Sequence, residues 1–400
     1  MKKETFLKEL VDFQERFKSL KPELEVTVRD PSIGLEGFVV VWSTLAAKNS
    51  PLGRYGKGGT RITPTTSLQE ISNLALTMTL KNAAAGLPLG GAKSGIRADS
   101  DSADFQKVYC RFLELIKPFL RENGGIFGGL GFDVGAKPEH ARWACETLCS
   151  TNSFTGKPIE MGGTDYDREG IAGFGVATAA KVLLEFKNIE LKSCNYAVQG
   201  LGAMGAAVVR FFSEFGANLR TISDPKLEGT YRLKTAATKE LINSISRQDF
   251  QKTKELLKTI PHEKFNLDQV LYDQNEVLFP CAMQDQVTLE NVEQIKADFI
   301  VEGANSPCST EARSVLYNKG VLVIPDFVAN PGGIIAAYVE MTSQVSIEEN
   351  IKTKAKVKEA LKLTQEKITD NVKNMLNLSE SLGVEPEQAA LYHALKNIFN

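Results

Sequence analysis

Cys194-Asn195-Tyr196-Ala197-Val198-Gln199-Gly200-Leu201-Gly202-Ala203-Met204-Gly205 sets the architecture of the chain. A short apolar run ends in glycine and leads directly into a complete GxGxxG, residues 200–205. Alone, that pattern is a weak signal. Here it follows a predicted strand and opens a predicted helix, and a second strand, 218–224, ends in Asp224, 19 residues beyond Gly205. The first glycine permits a tight turn, the second lets backbone approach a pyrophosphate, and the third lets helix and strand pack closely. The helix N-terminus stabilises phosphate charge. Glycines kept only for packing would give the same six residues, but the βαβ setting favours dinucleotide binding by Gly200, Leu201, Gly202, Ala203, Met204 and Gly205. Asp224 would bond ribose hydroxyls, which favours NAD. Lys226 could instead meet a 2′-phosphate, so NADP is possible.

Outward from this motif, strand-like runs at 276–280, 297–303 and 320–325 alternate with helical stretches, which predicts a parallel sheet. A long helix is predicted at about 168–186, and 335–400 reads as helical. On the other side, 1–20 reads as an amphipathic helix and 23–28 and 37–42 as strands. Residues 64–71 open a helix in which Ser67 and Glu70 have capping-box spacing. Leu68, Ile71, Leu74, Ala75 and Met78 follow at the spacing of a buried helix face. Glycine density at 86–95 and 124–135 predicts loops that approach a ligand. The fold class is α/β with two domains. A substrate-binding and oligomerisation domain spans 1–170, and a Rossmann-type doubly wound dinucleotide-binding domain spans 171–335. The C-terminal helices, 336–400, are expected to return to the first domain or to bridge the two.

The composition, 42% hydrophobic and 24% charged, is that of an ordinary globular protein. A net charge of -2 gives no case for nucleic acid or membrane as partner. No secretory signal or spanning stretch is read, which suggests a cytoplasmic protein. Six cysteines without a CxxC pair and three scattered histidines make no metal site.

The lysines carry the chemistry. Lys81 continues the stripe 71, 74, 78 and so points inward, where lysine seldom lies without a partner; a snorkelling lysine near a helix end is the equal alternative. Lys93 sits in Gly90-Gly91-Ala92-Lys93-Ser94-Gly95. This is not a phosphate-binding P-loop, because Ala92 separates glycine from lysine. Lys57 lies in Gly56-Lys57-Gly58-Gly59. Asp133, in Phe132-Asp133-Val134-Gly135, reads locally as a turn or cap aspartate.

Four stretches, 57–62, 78–95, 132–135 and 301–333, resemble the glutamate/leucine/phenylalanine/valine dehydrogenase family. Lys57, Lys81 and Lys93, spaced 24 and 12 residues apart, are similar to its glutamate-specific branch. The resemblance implies reversible, NAD(P)-dependent oxidative deamination of an L-amino acid, glutamate first, in a homo-oligomer, commonly a hexamer. It makes Lys93 the catalytic lysine and Asp133 the proton-shuttling aspartate. It puts Lys81 on the substrate α-carboxylate and Lys57 on the side-chain carboxylate. Asn305 and Asn330 fall near nicotinamide and substrate, and Cys281 and Ala282 on the cofactor side of the cleft. The residue types suit that chemistry. A lysine crowded by other lysines gives up its proton more readily and can activate water.

Two positions depart from the family pattern. Ala172 stands where a threonine usually positions the nicotinamide amide. Ala337 stands where glutamate enzymes carry a serine for the side-chain carboxylate. Ala337 motivates the alternative of a leucine-, valine- or phenylalanine-type dehydrogenase. Both losses together motivate another class, a catalytically impaired NAD-binding sensor or scaffold.

Overall fold

Tyr196, Ala197 and Val198 are buried, and the strand Asn195–Gln199 that carries them lies at the centre of a seven-stranded sheet. The computed structural model describes residues 1–400. Across the sheet the order is His262–Phe265, Gly229–Leu233, Asn218–Asp224, Asn195–Gln199, Val277–Pro280, Phe299–Val301 and Leu322–Ile324. The chain steps outward from Asn195–Gln199 to Asn218–Asp224 and later returns to the opposite side at Val277–Pro280. That reversal leaves a crevice at the strands' carboxyl ends, where ligands bind in open α/β sheets. GxGxxG lies there.

The sheet is mixed, not wholly parallel. Gly229–Leu233 runs antiparallel to Asn218–Asp224, and His262–Phe265 antiparallel to Gly229–Leu233. Only the turn Pro225–Leu227 and Glu228 separate the first of these pairs, a connection too short for a parallel crossover.

The first half carries a second sheet, ordered Leu24–Asp30, Leu35–Ser43, Gly90–Arg97 and Gly56–Lys57, with Thr60–Thr63 also paired to Gly90–Arg97. The glycine-rich segment expected as a loop is therefore an interior strand. Its glycines admit the helix Leu68–Ala84 against the sheet: a Cβ at Gly91 would sit 2.1 Å from the Thr79 nitrogen. Contact with the helix, not backbone freedom, accounts for that glycine. The same helix buries Ile71, Ala75, Thr79 and Asn82, while Met78 and Lys81 line the cleft between the sheets.

The helix expected at 168–186 is broken. One turn, Tyr166–Glu169, ends at Gly170 (φ 73°), and Ile171–Phe186 follows. The C-terminal helices bridge the two halves. Ala355–Leu382 packs on Ile171–Phe186, and Pro386–Phe399 packs on Leu68–Ala84 and on Lys3–Ser19. Phe6 and Tyr392, with ring centroids 5.0 Å apart, join the first helix to the last. A large apolar side chain fully buried in this way contributes about 1.5–3 kcal/mol. No helix is long and apolar enough to cross a membrane. All six cysteines are free.

Candidate active site

A cavity of about 570 Å³ opens between the two sheets, and it gathers residues from distant parts of the chain. Lys57, Lys81, Lys93 and Asp133 line it from the first half. Ala172, Met204, Cys281, Ala282, Asn305, Asn330 and Ala337 line it from the second.

Lys93 projects from the strand Gly90–Arg97, and its Nζ lies 2.9 Å from Asp133 Oδ2. Arg61 Nε donates to the same oxygen at 3.0 Å and is braced through Nη1 by Glu70 at 2.8 Å. Arg61 was not singled out in the sequence, although it belongs to the 57–62 motif. Burial raises the Asp133 pKa, but the Lys93 and Arg61 charges and hydrogen bonds outweigh it and hold the carboxyl below its usual range. Gly59 permits this approach: a Cβ there would fall 2.6 Å from the Phe132 oxygen.

Arg61→Met is expected to raise the Asp133 pKa, since it removes a cation that favours the charged form. A group that works as carboxylate loses function as pH falls through its pKa. The acidic limb of kcat/KM should therefore move to higher pH. A pH profile with an unmoved limb would show that Arg61 does not tune Asp133.

Lys81 Nζ donates to Asn305 Oδ1 at 3.3 Å, and Asn330 Nδ2 donates to the same atom at 3.1 Å. This joins the halves across the cleft. Burial lowers the Lys81 pKa; Asp326 opposes the shift and Lys93 adds to it. Asn330 also donates to the Gly303 oxygen at 3.0 Å, and its own Oδ1 is buried without a partner.

Lys57 is 1% exposed. Its Nζ donates to the carbonyl oxygens of Gly58, Gly129 and Leu130 at 3.0, 3.1 and 2.7 Å. An ammonium has three N–H donors, so all are used within the protein. Burial pushes its pKa down to about 7; Glu340 opposes, while Lys157 and Lys93 push the same way. The three carbonyls favour the ammonium form. In its ammonium form Lys57 brings charge to the pocket, but no free N–H.

At the dinucleotide motif, Gly200 has φ 84° and Gly205 meets the Gly200 oxygen so closely that a Cβ would lie 1.8 Å from it. A Cβ on Gly202 would meet nothing within 4 Å, so the backbone there is open to a ligand. Gly202 and Ala203 are exposed, whereas the Leu201 side chain belongs to the core. Of the motif only Met204 lines the cavity. Asp224 is 7% exposed, and its oxygens accept the Leu201 and Lys226 amides, both at 2.8 Å. The carboxylate shapes the loop. Lys226 turns its Nζ over the Phe250 ring, 4.6 Å from the centroid. An open glycine turn at the switch point and an unpartnered Asn330 oxygen fit a nicotinamide dinucleotide laid across the strand ends.

Residues 162–400 match the family model of the glutamate/leucine/phenylalanine/valine dehydrogenases, and residues 22–149 match that family's dimerisation domain. The chain belongs to this dehydrogenase family. A glutamate dehydrogenase of Aeropyrum pernix is 31% identical over 361 residues, 86% of this chain and 81% of that protein. An NAD-specific glutamate dehydrogenase of Halobacterium salinarum is 30% identical over 341 residues, 83% of this chain and 75% of its own. The solved structure of Plasmodium falciparum glutamate dehydrogenase 2 superposes with a TM-score of 0.80. It covers 99% of this chain and 92% of its own at 22% identity, a likeness of fold. Tyr166, Thr155 and Gly131 also line the cleft of this family member. Gly131 lies in the glycine-dense stretch 124–135, whereas Tyr166 and Thr155 lie outside the motifs that the sequence offers, and no local spacing marks them.

Proposed function

We propose that the chain catalyses the reversible oxidation of L-glutamate to 2-oxoglutarate and ammonia with a nicotinamide dinucleotide. The observation that carries this reading is the Lys93–Asp133 pair, 2.9 Å apart, in one cleft with Lys81, Lys57 and the open glycine turn. When bound, the cofactor accepts the hydride leaving Cα. The protein's part is to hold and deprotonate. Lys81 takes the α-carboxylate by charge. Lys93 activates the water that attacks the substrate iminium. Asp133, steadied by Arg61, passes protons to and from the amino nitrogen. Asn305 and Asn330 orient nicotinamide and substrate, and Cys281, Ala282 and Ala172 line the cofactor side. The name of the Halobacterium relative supports NAD.

The reading treats 1–170 as the substrate part, 171–335 as the dinucleotide part and 336–400 as the tie between them. Cleft closure would expel water. The dimerisation-domain match supports a homo-oligomer, and we take it to be a hexamer; light scattering measures it.

The test is a spectrophotometric screen of amino acids with NAD and with NADP. No absorbance change with glutamate, or with 2-oxoglutarate plus ammonium, would sink the proposal. One observation favours a second reading, an apolar amino acid: Ala337 is apolar and the Lys57 donors are all occupied. A higher kcat/KM for leucine, valine or phenylalanine would establish it.

A further inference from the structure

The one-turn helix Tyr166–Glu169 stands between two left-handed residues, Asp165 (φ 47°) and Gly170 (φ 73°). Few residues with a Cβ adopt that conformation, aspartate among the more tolerant. The turn delivers the Tyr166 ring into the cleft. The ring lies over Gly156, where a Cβ would come within 2.7 Å of ring carbons and 2.8 Å of the hydroxyl. A Cβ on Gly333 would touch the other ring edge at 3.9 Å. Gly333 and Ala337 are four residues apart on the helix Gly332–Thr342 and so share a face. Tyr166, Gly333 and Ala337 therefore form one wall.

Gly131, Thr155 and Lys57 belong to the same cavity. A Cβ on Gly131 would lie 3.4 Å from Lys57 Nζ and 3.3 Å from Thr155 Oγ1. A carboxylate buried here needs hydrogen-bond donors. The three N–H groups of Lys57 are taken, Ala337 has no polar side-chain atom, and Thr155 Oγ1 donates to the Leu130 oxygen at 3.4 Å. The Tyr166 hydroxyl makes no hydrogen bond within the protein, although its ring lines the cavity, so its O–H is free to give. Burial holds this phenol protonated far above the ordinary range, and the Asp167 and Glu340 carboxylates add to that.

We propose that the Tyr166 hydroxyl is a specificity-determining donor that bonds the carboxylate at the far end of the substrate side chain, in place of a polar group at 337. The proposal rests on the glutamate reading above. L-Norvaline separates the two, because it carries a methyl where glutamate has that carboxylate.

The experiment compares steady-state kinetics of the wild-type enzyme and Tyr166→Phe on L-glutamate and L-norvaline, with a competitive inhibition constant for norvaline if its turnover is slow. A lost hydrogen bond to a charged group should raise the glutamate KM about tenfold to a hundredfold. The norvaline constant and the glutamate kcat should hold, so the preference for glutamate falls by the same factor. The variant should melt with the wild type. An unchanged preference overturns the proposal. So does an equal loss of kcat on both substrates, which would assign the hydroxyl to the reacting centre beside Asp133. Wild-type enzyme with no activity on glutamate removes the underlying reading, and the proposal with it.

Discussion

Lys93→Ala lowers turnover of the preferred amino acid by about 10²- to 10⁴-fold, the usual contribution of a positioned acid–base group, and leaves the cofactor Kd unchanged. The two effects separate because the residues lie on different sheets. Lys93 belongs to Gly90–Arg97, while the glycine turn opens from Asn195–Gln199. The substitution should not unfold the protein. Asp133 keeps its 3.0 Å bond from Arg61, so no uncompensated carboxylate is left in the cleft. Cofactor binding by fluorescence titration and single-turnover absorbance together measure both quantities. A variant that keeps most of its activity would remove Lys93 from the chemistry. A variant that loses cofactor affinity in proportion would make its effect one of assembly.

Some of this site is legible in the sequence because its logic is local. GxGxxG needs glycine at fixed offsets from one strand and one helix, and all of those lie within about a dozen residues. The pairing of Lys93 with Asp133 is not local, yet the motifs around both residues bring them forward. The state of Lys57 is different. Two of its carbonyl partners, Gly129 and Leu130, are 72 and 73 residues away, and carbonyls leave no trace in side-chain patterns. A sequence can show that Lys57 is special, but not that its donors are consumed. The 90–95 segment misleads for a related reason. Glycine there signals a loop by propensity, whereas a helix pressed against the strand is the actual cause, and tertiary contact overrides propensity. The strand His262–Phe265 escapes notice because it is half-exposed and lacks an apolar run. Tyr166 escapes because only the break at Gly170 turns it into the cleft.

Loss of Glu340 should cost much of the stability. Its side chain is 1% exposed and Lys157's is 5%, and they pair at 2.9 Å through Glu340 Oε2. The other carboxylate oxygen, Oε1, accepts from Gly156 N at 3.0 Å and from Thr164 N and Oγ1, both at 2.7 Å. This carboxylate fastens the segment 156–164 to the helix Gly332–Thr342. Thr155 and Tyr166, which line the cleft, flank that segment. Glu340→Ala strands a buried ammonium, and breaking such a pair costs about 3–5 kcal/mol. It also orphans three donors at once. Thermal or denaturant unfolding should therefore show a lowered midpoint, or no folded protein at all.

The double variant Lys157→Met/Glu340→Met tests where the energy lies. Replacing both members of a buried pair by apolar groups is often neutral. Here recovery should be partial, because the three donors on Oε1 belong to Gly156 and Thr164 and remain unsatisfied whatever stands at 157. Full recovery would mean that the charge pair alone carries the stability, and that the fastening of 156–164 is incidental. Partial recovery with a raised substrate KM would mean that the same carboxylate holds both the fold and the wall of the pocket.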